Sequence, residues 1–375
     1  MSANGTEPLR VAIVSDATPE RNGVGSYYVD LVSQLSERAL HAELFCPRLE
    51  EIGWRRHLMP PLPGDRTQRL WIPRPFKLLR QVLASRPDAI IVPTPGPFGL
   101  IGLVAARRLR VPLIVGFHTH FEALAAIYWT RGFGKACQWV LEWCNRQLIS
   151  ESAVVLANSP DMERLASKLG ARVVRRMGTS VAREFIDRPL VPPRAALERL
   201  LFAGRLAGEK NIPEIIRLAE AMPEVVVSIA GDGPLRRTVA RAAARVPNLD
   251  YLGWVSRKQL VDVIDAHDLL LLPSRVESFG TVALEAMARG RPVVVSAACG
   301  IADWPGMQPG LFCIGADESL AEAVARIRAL PDSARAHRAA SARKAAVELN
   351  EWNLENWIER LTPRDAAHEG HEQRA

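Results

Sequence analysis

Nowhere in its 375 residues does the chain run through the eighteen or so uninterrupted apolar residues that a membrane-spanning helix requires. The best stretch, from Pro97 through Ala106, is cut by Arg107, Arg108 and Arg110, so a chain that does not cross a bilayer is expected. Its opening, MSANGTEPLR, lacks the basic, apolar and small-residue order of a secretory signal, which predicts a cytoplasmic protein. Cysteine is sparse: Cys46, Cys137, Cys144, Cys299 and Cys313 form no CxxC and accompany no paired histidine spacing, so reduced core thiols and no metal site are expected. A GxGxxG loop is also missing, because SDATPERNGVG after Val14 is too long for a dinucleotide turn, which disfavours a dehydrogenase. RNP, helix-turn-helix and finger patterns are lacking as well. The net charge of +7 therefore points to nucleotide phosphate or an acidic lipid surface rather than to nucleic acid.

What is present is a globular composition, 48% hydrophobic and 24% charged, in a length that suits two domains. Short apolar runs at 9–15, 89–92, 113–117 and 154–157 alternate with helical patterns, a βαβ rhythm that implies a parallel sheet covered on both faces. The rhythm pauses over 183–199, where Asp187, Pro189, Pro192 and Pro193 interrupt both periods, and resumes with Leu200 to Ala203. Further strand-like runs follow at 225–230, 249–252, 269–272, 293–295 and 311–314, with helical spacers such as 211–221 and 281–289. Two doubly wound α/β units are predicted, residues 1–185 and 196–350, facing each other across a cleft at the carboxyl ends of their strands. An Ala/Arg-rich stretch over 319–348 reads as helix. A final helix over 351–362, apolar through Trp352, Trp357 and Leu361, is expected to pack back on the first unit, ahead of a frayed polar tail.

The most informative segment is Glu277-Ser-Phe-Gly-Thr-Val-Ala-Leu-Glu285, which follows the run 269–272 and opens a helix. Gly280 and Thr281 fall at the helix start, where unpaired N–H groups and the positive end of the dipole favour phosphate. A carboxylate at 285, two turns in, would reach ribose hydroxyls. The competing reading makes Glu277 a helix cap and Glu285 a solvated or paired helix residue. The helix stop and buried strand of Ala286-Met-Ala-Arg-Gly-Arg-Pro-Val-Val-Val295 follow in the order the phosphate reading requires.

On these residues the chain resembles the retaining nucleotide-sugar glycosyltransferases of family 4, whose E-x7-E signature matches Glu277 to Glu285. Further landmarks are Asn22-Gly23-Val24-Gly25, Phe117-His118-Thr119-His120-Phe121, Phe202-Ala-Gly-Arg205-Leu-Ala-Gly-Glu209-Lys210-Asn211, Ile229-Ala-Gly-Asp232-Gly233-Pro234 and Leu252-Gly-Trp254-Val255. The resemblance spans nearly the whole chain and implies the GT-B fold, two Rossmann-like domains around a central cleft. It implies transfer of a hexosyl group from a nucleoside-diphosphate sugar to an acceptor hydroxyl, with no cofactor and no obligatory metal. His118 and Glu277 would then serve the transferred sugar, Arg205 and Lys210 the diphosphate, helped by Gly23, Gly280 and Thr281, and Glu285 the ribose. Trp254, Val255 and Lys258 would border the base. Glu209 and Asp232 are weaker candidates. Strand alternation sends His118 and His120 to opposite sides, so one of them is expected to face the cleft. The alternative from another class is a non-enzymatic two-lobed protein that binds nucleotide sugars.

The acceptor, a sugar or a lipid, has a weaker signature. Residues 48–80 carry eight basic side chains (Arg48, Arg55, Arg56, Arg66, Arg69, Arg74, Lys77, Arg80) against three acidic ones, Glu50, Glu51 and Asp65. They are interleaved with Trp54, Leu58, Met59, Leu62, Trp71 and Phe76, a pattern suited to an anionic membrane surface. The segment 127–149, with Tyr128, Trp129, Trp139 and Trp143 beside Arg131, Lys135 and Arg146, either extends that surface or is a core helix with a solvated edge.

Overall fold

The computed structural model describes residues 8–19, 23–38, 40–48, 59, 61–62, 65–69, 71–120, 123–124, 127, 133–194 and 196–361. Among the landmarks above, Asn22, Glu50, Glu51, Trp54, Arg55, Arg56, Leu58, Phe121, Tyr128, Trp129, Arg131 and the tail beyond Leu361 lie outside the described residues.

The first lobe runs β1 (Arg10–Val14), α1 (Gly23–Ser36), β2 (His41–Phe45), a hairpin of β3 (Pro61–Leu62) and β4 (Asp65–Arg69), α2 (Pro75–Ala84), β5 (Ala89–Val92), α3 (Pro97–Leu109) and β6 (Leu113–Phe117). It ends with α4 (Phe133–Glu151), β7 (Val154–Ala157), α5 (Pro160–Lys168) and β8 (Val174–Arg176). Six strands pair in parallel in the order β2-β1-β5-β6-β7-β8. After α6 (Arg183–Asp187), the second lobe comprises β9 (Arg199–Ala203), α7 (Ile212–Ala221), β10 (Val226–Ala230), α8 (Arg236–Ala243), β11 (Leu249–Gly253), α9 (Arg257–Asp265) and β12 (Leu269–Leu272). It closes with α10 (Thr281–Ala288), β13 (Val293–Val295), β14 (Leu311–Cys313) and α11 (Leu320–Arg328). Its sheet is parallel too, in the order β11-β10-β9-β12-β13-β14. Runs such as Ala-Ile-Ile-Val in β5 and Leu-Leu-Leu-Leu in β12 are buried along their whole length, as strands covered on both faces must be.

Strand order reverses between β1 and β5 in the first sheet and between β9 and β12 in the second. Open α/β sheets bind ligands just outside the carboxyl ends of strands at such switch points. The loops leaving β1 and β9 lead to Gly23 and through Arg205 to Lys210, and the loop leaving β12 carries Glu277 to Gly280.

Two features depart from expectation. The interval 183–199 contains the short helix α6 and is held down by buried Arg289, which donates to the carbonyls of Phe185, Arg188 and Pro189. Pro331 separates α11 from α12 (Asp332–Leu361), so the two C-terminal helices are divided earlier than expected and the second is a single 30-residue rod. Small residues let α12 lie close: a Cβ at Gly310 would stand 2.5 Å from the Cα of Ala342. Its distal half enters the first lobe, where the Trp357 Nε1–H donates to the Tyr27 hydroxyl at 2.7 Å and Asn350 accepts from the Val181 N–H. All five cysteines are free thiols, but Cys313 is exposed, because β14 is an edge strand of its sheet.

Candidate active site

The second lobe offers a cationic cradle built by its glycines. A Cβ at Gly231 would fall 1.8 Å from the Gly204 carbonyl and one at Gly233 2.6 Å from that of Leu206, so the loop after β10 can press on the loop after β9. That pressure holds the turn 205–211 in shape, and Asn211 adopts a left-handed φ of 54° to start α7. Arg205 pairs with Glu209, whose backbone carbonyl accepts from the Arg275 N–H at 2.7 Å. Lys210 pairs with Glu277. Glu277 sits in a loop fixed by a bridge to Cys299 and by donation from the Gly300 N–H to its own carbonyl at 3.0 Å. Capping is thus not what Glu277 does. The residue before α10 is Gly280, at φ 107°, and no side chain caps the helix. Its first N–H groups form an anion-attracting end, and Lys210 is tied to the loop that leads into it through Glu277.

Across the cleft, a Cβ on Gly23 would lie 3.8 Å from Thr281 Oγ1, so the starts of α1 and α10 face each other. Gly25 must be glycine there, since a Cβ would be 2.4 Å from the Thr18 carbonyl. Structure therefore gathers Gly23, Lys210, Glu277, Gly280 and Thr281, with Arg205 on the adjoining turn.

Glu285 lies a little over one turn into α10, not two, and is buried. It accepts from Arg257 Nη2 at 2.9 Å, and the other arm of that guanidinium pairs with Asp30 of α1. Burial pushes the Glu285 carboxyl up to about 7, with Arg257 opposing and Asp30 reinforcing the rise. Asp30 is likewise pushed up to about 6 by burial, against Arg257. Trp254, Val255 and Lys258 flank Arg257 at the start of α9, which is closed by a Ser256–Gln259 capping box. Trp254 is 57% exposed and Lys258 is exposed, so these two leave an open rim.

In the first lobe, His118 Nε2 lies 2.8 Å from the Tyr28 hydroxyl, and the Tyr27 and Tyr28 rings pack within 5.5 Å of the imidazole. Gly116 makes room, since a Cβ there would be 2.2 Å from the Tyr28 hydroxyl. Burial lowers His118 to about 4, which keeps it neutral at physiological pH. It lines a small cavity with Thr94, Pro95, Thr119 and Asn145. Behind this cavity Asp16, at the end of β1, accepts from Thr94 Oγ1 and from the N–H groups of Gly96, Phe98 and Gly99 at 2.9–3.2 Å, capping α3. Burial raises Asp16 to about 6 despite those donors.

His120 is also at the cleft, contrary to the alternation argument, because β6 ends at Phe117. Its backbone N–H donates to Ser278 Oγ of the opposite lobe at 3.3 Å. Nδ1 accepts from the Ala123 N–H, which leaves Nε2 to donate to Asp161 at 3.2 Å. The segments of His118 and Glu277 are joined through this contact. Sequence reasoning missed Tyr28, Asp16, Asp30, Asp161 and Arg257. A Tyr27-Tyr28 pair in a chain with four tyrosines was a usable signal; one arginine among 48 basic residues was not. Among the described residues no three His, Cys, Asp or Glu side chains gather as a metal site.

Two family models match the chain in succession: the glycosyl transferase 4-like domain over residues 22–177 and glycosyl transferases group 1 over residues 192–345. A GDP-mannose-dependent alpha-mannosyltransferase of Mycobacterium tuberculosis is 29% identical over 315 residues, covering 79% of this chain and 81% of the relative. A GDP-mannose-dependent alpha-(1-6)-phosphatidylinositol dimannoside mannosyltransferase of the same species is 33% identical over 158 residues, 41% of this chain and 40% of its own. The structure of HepE from Anabaena in complex with UDP-glucose superposes with a TM-score of 0.66 at 16% identity, over 94% of this chain and all of that one. With the two parallel sheets, their facing switch points and both models in place, the chain belongs to the GT-B glycosyltransferases, with a 4-like first lobe and a group 1 second lobe.

Proposed function

We propose that the protein is a retaining hexosyltransferase that uses GDP-mannose and delivers the sugar to a glycolipid hydroxyl at the cytoplasmic face of a membrane. The observation that carries the donor half is the meeting of Lys210, Glu277 and the uncapped start of α10 opposite Gly23, with Arg205 alongside. The leaving diphosphate gains negative charge as the glycosidic bond breaks, and fixed cations with oriented N–H groups stabilise that charge without waiting for solvent to reorganise. Arg205 and Lys210 supply it in place of a metal ion. Donor phosphate displaces Glu277 from Lys210, freeing the carboxylate to accept from hydroxyls of the transferred sugar and to support its oxocarbenium character.

Neutral His118, fixed by Tyr28, hydrogen-bonds the same sugar from the first lobe. No covalent nucleophile is assigned: the departing phosphate takes the acceptor's proton on the face of attack. Glu285 holds the ribose, and Trp254, Val255 and Lys258 border the base. The guanine and mannose reading leans on the mannosyltransferase relatives.

A surface suited to lipid supports the acceptor half. On α2, Phe76 is 81% exposed next to Lys77 and Arg80; on α4, Trp139 is 68% exposed, with Val140 and Trp143 beside it and Lys135 and Arg146 nearby. Of the two readings of 127–149, the described part favours a surface. Each cation near an anionic leaflet contributes about 1 kcal/mol, and exposed Trp and Phe add apolar anchoring. No described helix is long and apolar enough to span a membrane, so peripheral attachment is the form this takes. The test is to incubate the protein with GDP-mannose and lipid acceptors and determine the anomeric configuration of the product by NMR. An α-mannosyl lipid supports the reading; a β-linked product contradicts retention, and donor use without lipid product contradicts the acceptor class.

A further inference from the structure

Arg257 reaches three elements at once. One arm of its guanidinium pairs with Asp30 on α1 of the first lobe, the other donates to Glu285 on α10 of the second at 2.9 Å, and the plane lies 5.8 Å from the Phe185 ring on the linker helix α6. A guanidinium offers five N–H donors in a rigid fork, so it can serve two carboxylates simultaneously where an ammonium is a single point charge. The cluster holds two acids and one base, and it is sheltered: the Glu285 side chain is 8% exposed, Asp30 13% and Arg257 21%. One uncompensated negative charge in such a place is costly. The surroundings do not relieve it. Glu184 on α6 adds repulsion at Asp30, and Arg289, just past the end of α10, is committed to Asp265 and the linker carbonyls.

We propose that Arg257 is a positioning residue for the donor: it holds the Glu285 carboxylate charged and aimed, and Asp30 of the opposite lobe competes for the same guanidinium, so the grip on the ribose is set partly by the first lobe. This inference rests on the reading of Glu285 as the ribose carboxylate. An ionised Glu285 accepts from the ribose hydroxyls, whereas its protonated form has lost that acceptor strength. Donor capture therefore requires the proton to leave a carboxyl that burial and Asp30 both encourage to keep it. Arg257 contacts only Oε1 of Glu285, so ribose hydroxyls can take the other carboxylate oxygen while the guanidinium keeps both acids and ties α1 to α9 and α10 across the cleft.

The test is the pH profile of kcat/KM for the donor, which reports ionisation of the free enzyme, in the wild type and four variants, with GDP-mannose as the donor. The wild type should lose donor efficiency as pH falls through about 7, the value to which Glu285 is raised. Arg257→Gln removes the opposing cation and should move the acid limb up by about one pH unit, within the range an adjacent opposite charge commands. Arg257→Lys, which keeps charge without the fork, should fall between. Asp30→Asn removes the repelling charge and the competitor and should move the limb down. Opposite displacements from Arg257→Gln and Asp30→Asn support the proposal. Displacements of the same sign, or variants that change KM equally at every pH, overturn it. Glu285→Gln separates the two claims. Unchanged donor KM in that variant defeats the ribose reading itself, while a raised KM with unmoved limbs in the other variants defeats only the role of Arg257.

Discussion

The two lobes place opposite kinds of chemistry on the same architecture. In the second lobe the candidate groups are ions held in pairs, Arg205 with Glu209 and Lys210 with Glu277, on short turns directly after buried strands. In the first lobe they are hydrogen-bonded rather than ion-paired: neutral His118 against Tyr28, and Asp16, raised to about 6, accepting from the N–H groups at the start of α3. The difference suits the proposed reaction. There, charge would build on the departing diphosphate, which calls for the ions of the second lobe, while hydroxyl groups need donors and acceptors of fixed geometry, such as those of the first.

If that division holds, removing a second-lobe cation should cost most. Lys210→Ala should lower kcat/KM for the donor about a thousandfold, the scale of losing a charge-stabilising group, read by nucleotide release. His118→Ala should lower kcat about a hundredfold and leave donor KM nearly unchanged; steady-state kinetics that placed the loss in KM would dissolve the contrast between the lobes. Because His118 is lowered to about 4, its variant should show the same kcat ratio at pH 6 and pH 8. Asp16→Ala should act on stability instead. Losing the acceptor for three N–H groups at α3 should cost about 1–2 kcal/mol, a drop of several degrees in melting temperature, with the second lobe's nucleotide affinity retained.

The smallest effect is the pH dependence of stability. Asp16, Asp30 and Glu285 all have folded values raised by burial to about 6, 6 and 7, above their ordinary values of 3.8, 3.8 and 4.5. Between those limits the native state holds more protons than the unfolded chain, so stability falls as pH climbs from about 4 to 7. Calorimetry should show Glu285→Gln melting above wild type at pH 8 and level with it at pH 5. An advantage at pH 5 instead would contradict the assignment of that proton to the native state.

The same contrast explains what could be read in the sequence. The proposed donor cradle is local: on the turns leaving β9 and β12, Arg205, Lys210, Gly280 and Thr281 all fall within ten residues of the strand end, so spacing and family resemblance single them out from the sequence. Both sheets were legible because most of their strands are short apolar runs; β2, with Glu43 facing outward, and the three-residue β8 were not. The Tyr28–His118 contact spans 90 positions and the Arg257–Asp30 pair joins different lobes, and no spacing rule reaches that far. Glu285 was found but its partner was not, since a buried ion pair leaves the same letters as a solvated one.

Binding of nucleoside diphosphates to the wild type and to an Arg205→Ala/Lys210→Ala double variant, followed by thermal shift across GDP, UDP and ADP, tests the central claim most directly. Ligand at a hundred times its Kd stabilises by about 2.7 kcal/mol, so one nucleotide should raise the wild-type melting temperature by several degrees and leave the double variant unmoved. No shift with any of the three, or an equal shift in the variant, would contradict the account.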